Sequence, residues 1–124
     1  MSATVERLEP GIILLTFDHN LTVQDVVEAS NAAVVTADAA GDAHFVTINV
    51  FADRVSIPFD IQHFKNLALR LDRLAGAITV GAPTMTQLLA RMIDRLTSLN
   101  IAEAKSVDEA VVMARRILAG EPVR

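Results

Sequence analysis

The chain has 124 residues, 52% of them hydrophobic, with a formal net charge of −4 and a sequence pI near 5.2. That length fits one domain over residues 1–124, and the apolar content is ample for a core and excludes general disorder. The acidic balance and the few aromatics (five Phe, no Trp, no Tyr) argue against nucleic-acid binding and against electrostatic attachment to an anionic membrane, and the lack of Cys excludes disulfides, thiolate metal sites and Cys nucleophiles.

Val5 to Leu8 reads as a short strand, and Glu9-Pro10-Gly11 as a turn. Ile12 to Phe17 is nearly all apolar or β-branched, which predicts a buried strand. Two strands joined this tightly predict an antiparallel hairpin. Thr22 is placed to cap a helix with Gln24 and Asp25 in its first turn. Val23, Val26, Val27, Ser30, Val34 and Ala37 share one face of that helix, and Gly41 ends it or the loop behind it. His44 to Phe51 is the next strand, apolar on both faces, as in a sheet covered on both sides.

Residues 52–58 form a loop, and Asp60 can cap a helix with Ile61, Phe64, Ala68 and Leu71 on one face. Gly76 to Val80 is a further core strand, closed by Gly81-Ala82-Pro83. Thr84 can cap the next helix, with Met85, Leu88, Leu89, Met92 and Leu96 as its stripe. Ile101 to Ala104 is a short last strand. Ser106 and Glu109 match a capping box for a final helix lined by Val107, Ala110, Val111, Ala114 and Leu118, stopped by Gly120 and Pro122. The expected architecture is α/β: a single mixed, mostly parallel sheet with an N-terminal β-hairpin and about four helices, its parallel strands joined by right-handed crossovers. Residues 1–10 carry Glu6, Arg7 and Glu9 instead of a signal peptide's apolar stretch, and no apolar run approaches the ~20 residues of a bilayer span. A cytoplasmic protein without membrane insertion is the expectation.

This order of elements resembles the STAS (SpoIIAA-like) fold of anti-sigma-factor antagonists and sulphate-transporter tails, close in architecture to SEC14-like lipid carriers. The likeness spans nearly the whole chain. Its local features are the strand His44 to Phe51 leading through a loop to Ile61, the strand Ala77 to Gly81, and the helix start Ser106-Val107-Asp108-Glu109-Ala110. The resemblance implies a protein-interaction module. Partner-switching members carry a phosphorylatable Ser or Thr in an Asp-Ser-Ser/Ala-Gly-like motif after the third strand. The comparable stretch here is Ser56-Ile57-Pro58-Phe59-Asp60-Ile61, with Pro58 or Phe59 at that position and no Gly after Ser56. The resemblance therefore implies docking without the phosphorylation switch.

The expected working surface is the loop from Ala52 to Phe59, with Asp53, Arg54, Ser56, Ile57 and Phe59 contacting an unknown protein partner; a homodimer is compatible with this reading. The loop leaves the C-terminal end of a central strand, where α/β proteins place their sites. It mixes charged groups with Val55, Ile57 and Phe59, a composition suited to an apolar anchor within a polar rim. Pro58 fixes its own φ and restrains Ile57, lowering the ordering cost of binding. The alternative is that these apolar side chains tuck into the core and the loop is a plain connector.

Other chemistry finds less support. A hydrolase could draw on Ser30, Ser56 or Ser98 and on His19, His44 or His63, but no Gly-x-Ser-x-Gly elbow is present. Asp18, His19 and Asp53 would converge at strand ends, as polar loop residues or as a general-base cluster. Three scattered His without a His-x-x-x-His pair give no zinc signature, and no cofactor is expected. Gly81-Ala82-Pro83-Thr84 lacks a P-loop Lys, and Pro83 removes a donor, so it is a routine strand-to-helix turn. The stripe from Met85 to Leu96 is core, or in the SEC14-like alternative the wall of a pocket for an apolar ligand or lipid. Val35 and Leu69 lie off their helices' core stripes and would mark a partner surface if they met.

Overall fold

The turn at Pro10 and Gly11 folds the first two strands against each other. In the computed structural model, which describes residues 3–18, 22–52, 73–81, 91 and 100–121, β1 (Ala3–Glu9) pairs antiparallel with β2 (Ile12–Phe17). The other strands are β3 (Phe45–Phe51), β4 (Leu74–Val80) and β5 (Asn100–Ala104). They continue parallel from β2, so the five-stranded sheet has the order β1-β2-β3-β4-β5. Neighbours in sequence are neighbours in space throughout.

Two helices stand among the described residues, α1 (Val23–Ala40) and α2 (Val107–Leu118), rather than about four. The helices expected after Asp60 and after Thr84 fall on residues 53–72 and 82–99, outside the described residues apart from Arg91. No helix among the described residues is long and apolar enough to cross a membrane.

Alternation along the strands splits the core into two layers. Ile13, Leu15, Phe17 and Phe45 pack with Ala29, Ala33 and Ala37 of α1 on one face. Ile12, Val46, Ile48, Ile78, Val80 and Ala104 pack with Ala110, Ala114 and Ile117 of α2 on the other. The parallel strands Ile12 to Phe17, His44 to Phe51 and Ala77 to Val80 are adjacent, as their apolar character predicts. On the α2 side of β2, however, Leu14 and Thr16 are only half-buried, because α2 lies over β3 to β5. The α1 stripe also differs from the valine-rich face predicted. Its buried line is Ala29, Ala33 and Ala37, with Val27 and Val34 half-buried. Small side chains there let the helix lie close over Phe17 and Phe45.

Both helices end in the same device. Past α1, Gly41 adopts φ 75°, and the Gly41 and Asp42 N–H groups bond back to the Asp38 and Ala37 carbonyls. Past α2, the Gly120 and Glu121 N–H groups bond to the Ile117 and Arg116 carbonyls. These are Schellman closures, whose left-handed position glycine fills without a Cβ penalty.

Candidate functional site

The C-terminal ends of β2, β3, β4 and β5 form one rim, where an α/β sheet offers its functional groups. Ala52, the root of the predicted docking loop, is exposed there. Its N–H donates to the Phe17 carbonyl at 3.0 Å, so the chain leaves β3 beside the end of β2. Beneath this bond the Phe17 and Phe51 rings stack with centroids 5.2 Å apart. Asp18 is exposed on the same rim. Asp53, Arg54, Ser56, Ile57 and Phe59 lie outside the described residues, as do His19, His63 and Leu69. Of the Asp18, His19 and Asp53 group, the structure therefore places Asp18 alone. Val35 is 66% exposed, as its position off the core stripe predicts. Among the described residues no cluster of His, Asp and Glu could hold a metal ion.

The structure reveals a second group of polar side chains that periodicity did not single out. On the α2 side the central strands present Val46, Ile48, Ile78 and Val80, all buried. The opposite side of the same strands presents Thr47 and Asn49 from β3 and Thr79 from β4. Pairing of Asn49 with Thr79, and of Thr79 with Glu103 of β5, sets these residues in one row across three strands. Thr47 and Thr79 are 7% and 8% exposed, and Asn49 is half-buried.

The orientation of Asn49 is set by its partners. Its Nδ2 donates to the Ile78 carbonyl at 3.3 Å and to Thr47 Oγ1 at 3.2 Å. A carbonyl can only accept, so the nitrogen is fixed and Oδ1 remains as an acceptor. Thr79 Oγ1 is buried with no hydrogen-bond partner among the described residues. A buried hydroxyl left in that state costs about 1–3 kcal/mol, which a Val of the same shape would avoid. At the outer end of the row Glu103 faces Arg91 at 3.8 Å, a loose pair on largely solvated side chains.

Two tighter ion pairs hold β1 against both layers. Arg7 makes a two-pronged contact with Asp42, Nε to Oδ2 at 3.0 Å and a terminal nitrogen to Oδ1 at 2.9 Å. The Asp42 side chain is only 8% exposed. The Arg7 hydrogen bonds, opposed by desolvation and aided by the Gly11 backbone N–H, hold its carboxyl below the usual range. Glu9 makes a similar contact with Arg115 of α2, at 2.8 and 3.1 Å, and is likewise held low, chiefly by the Arg115 hydrogen bonds. Arg73, just before β4, pairs with Asp38 and donates to the Asp42 carbonyl. These contacts knit the other end of the sheet, away from the rim.

Comparison with protein-family models, with curated proteins and with solved structures finds no match to this chain. Function is therefore inferred from geometry and sequence together.

Proposed function

We propose that this chain is a non-enzymatic, cytoplasmic protein-interaction module of STAS-like type that docks a protein partner through the loop from Ala52 to Phe59. The observation that carries the reading is the exit of this loop from the centre of the sheet. It springs from a root tied to β2 by the Ala52 to Phe17 hydrogen bond and underlain by the Phe17–Phe51 stack. A root fixed in this way needs no ordering of its own when a partner binds beside it. The sequential strand order with an antiparallel first strand is compatible with the STAS-like reading. In that reading, residues following Asp60 and Thr84 supply the two remaining helices. Asp53, Arg54 and Ser56 form the polar rim of the interface, Ile57 and Phe59 its anchors, and no phosphorylation switch is needed.

The SEC14-like alternative, a carrier of an apolar ligand or lipid, draws less support. The sheet face away from α2 carries Thr47, Asn49 and Thr79, poor company for an acyl chain.

Affinity capture from the native cell extract, with Arg54→Glu and Asp53→Lys beside the wild type, tests the proposal. Both variants should retain their stability within ~0.5 kcal/mol, as surface changes usually do, and lose the partner that the wild type captures. Equal capture by all three would move the working surface elsewhere.

A further inference from the structure

We propose that the outer face of α2 is a self-docking surface, on which a second copy of this chain lays its own α2 antiparallel about a two-fold axis at Val112. The inference does not rest on the docking loop and would stand if that loop proved a plain connector.

Val112 is 46% exposed, one of two large hydrophobic side chains so open among the described residues. It stands two positions from both Ala110 and Ala114, the buried contacts of α2 with the sheet, and so points about 160° away from each. A single exposed Val means little by itself. The charges around it show what it fits. Asp108 and Glu109 precede Val112 by four and three residues, and Arg115 and Arg116 follow it by three and four. All four are exposed. The signs are thus inverted about Val112.

A two-fold axis at Val112 sets each residue before it against a residue equally far after it in the other copy. With about 100° of turn per residue, Asp108 falls beside the second copy's Arg115 and Glu109 beside its Arg116. Four ion pairs then flank a Val112 contact at the axis. Of these four side chains, only Arg115 has an ion-pair partner in its own chain among the described residues. That partner, Glu9, takes two of its five donors and leaves the Arg115 side chain 61% exposed. The helix dipole also favours acids at the start of α2 and bases at its end. It does not favour Lys105 before the helix or Glu121 after it, yet these two exposed charges continue the inversion. A different protein would need no such inversion about one residue, whereas an isologous contact requires it.

The size of the face sets the strength. The 12 residues of α2 span about 18 Å, so one helix face on another falls at the low end of interface areas. The dimer is therefore weak, with a Kd on the order of 0.1–1 mM. The net charge of −4 on each chain opposes association at long range. A Debye length of about 8 Å at physiological salt screens that repulsion more than it screens contacts at ion-pair distance.

The test is sedimentation equilibrium of the full chain from about 10 μM to 1 mM at physiological salt. The wild type should be monomeric at the low end and move toward the dimer at the high end. Val112→Arg should weaken association about tenfold or more. So should Glu109→Arg and Arg116→Glu, each of which sets like charges together across the axis. Mixed in equal amounts, these two reversed chains should associate as the wild type does, because every altered residue then meets its opposite. Thermal melts of the three variants should stay close to that of the wild type, as for exposed side chains. The proposal is overturned if the wild type is monomeric throughout, if Val112→Arg or either reversal associates unchanged, or if the mixture stays monomeric. Should a reversal upset the fold through the helix dipole, Val112→Arg decides alone, since it keeps all four flanking charges. Loss of the fold in Val112→Arg would show that side chain serving the core and would also defeat the proposal.

Discussion

A Cβ built on Gly76 would sit 2.7 Å from the Asn100 carbonyl oxygen and 3.0 Å from Ile117 Cδ1. Gly76 and Asn100 are paired positions of β4 and β5, so the carbonyl cannot retreat without disturbing the ladder. Gly76→Ala should therefore destabilise the protein by about 1–3 kcal/mol, the usual cost of overpacking, read as a lower urea midpoint with unchanged slope. Asp42 sets a dependence on pH. Its carboxyl is held low in the folded chain by Arg7, so the unfolded chain takes up the proton first as the solution is acidified. The stability it supplies is fully present above the ordinary Asp value near pH 4 and is lost as the pH falls through the lower folded value. Glu9, held low by Arg115, acts with the same sign. Asp42→Asn should cost about 1–2 kcal/mol at neutral pH, from weaker hydrogen bonds to Arg7. It should also flatten the acid limb of a stability profile measured by denaturant titration between pH 7 and 2.

At the scale of the element, α1 begins on a reciprocal cap. Thr22 Oγ1 accepts the Asp25 N–H at 3.1 Å, and the Asp25 carboxylate accepts the Thr22 N–H at 2.9 Å. Thr22→Ala should cost about 1 kcal/mol, measured as a drop in thermal midpoint with little change in the folded far-ultraviolet spectrum. This start was legible because capping is local, a matter of residue types three apart. The box predicted for α2 forms in its forward half, with Ser106 Oγ accepting the Glu109 N–H at 3.2 Å. The faces of the helices were harder to read. Valines outweigh alanines in any hydropathy sum, yet Ala29, Ala33 and Ala37 lie against the sheet while Val35 faces solvent. Closeness of approach, which favours small residues, is set by the strands opposite and leaves no trace in the helix's own periodicity. The bulge in β1 was equally hidden. A register shift between Arg7 and Glu9 lets two residues that alternation would put on one face serve opposite layers, Arg7 reaching Asp42 after α1 and Glu9 reaching α2.

For the whole molecule, the α/β class, the antiparallel hairpin and the adjacency of the three central parallel strands were legible in runs such as Ile12 to Phe17 and Phe45 to Phe51. Continuous apolar strands can be buried only between two layers. The candidate site divides differently. The rim and the root of its loop were foreseeable from topology, whereas the row of Thr47, Asn49 and Thr79 needs the register of β3 against β4 before the residues become neighbours. Thr also reads as an ordinary strand former, and so announces nothing.

The Glu9–Arg115 contact joins positions 106 residues apart, in a sheet whose strands otherwise meet in the order of the sequence. A chain emerging from the ribosome can thus pair each strand with its predecessor as it appears. Val46, Ile48, Ile78 and Val80 nevertheless stay uncovered by α2 until residues 107–118 have cleared the exit tunnel. Until then these four side chains lack α2 as their cover. The Arg115 to Glu9 contact then ties α2 to β1 and holds the helix over them.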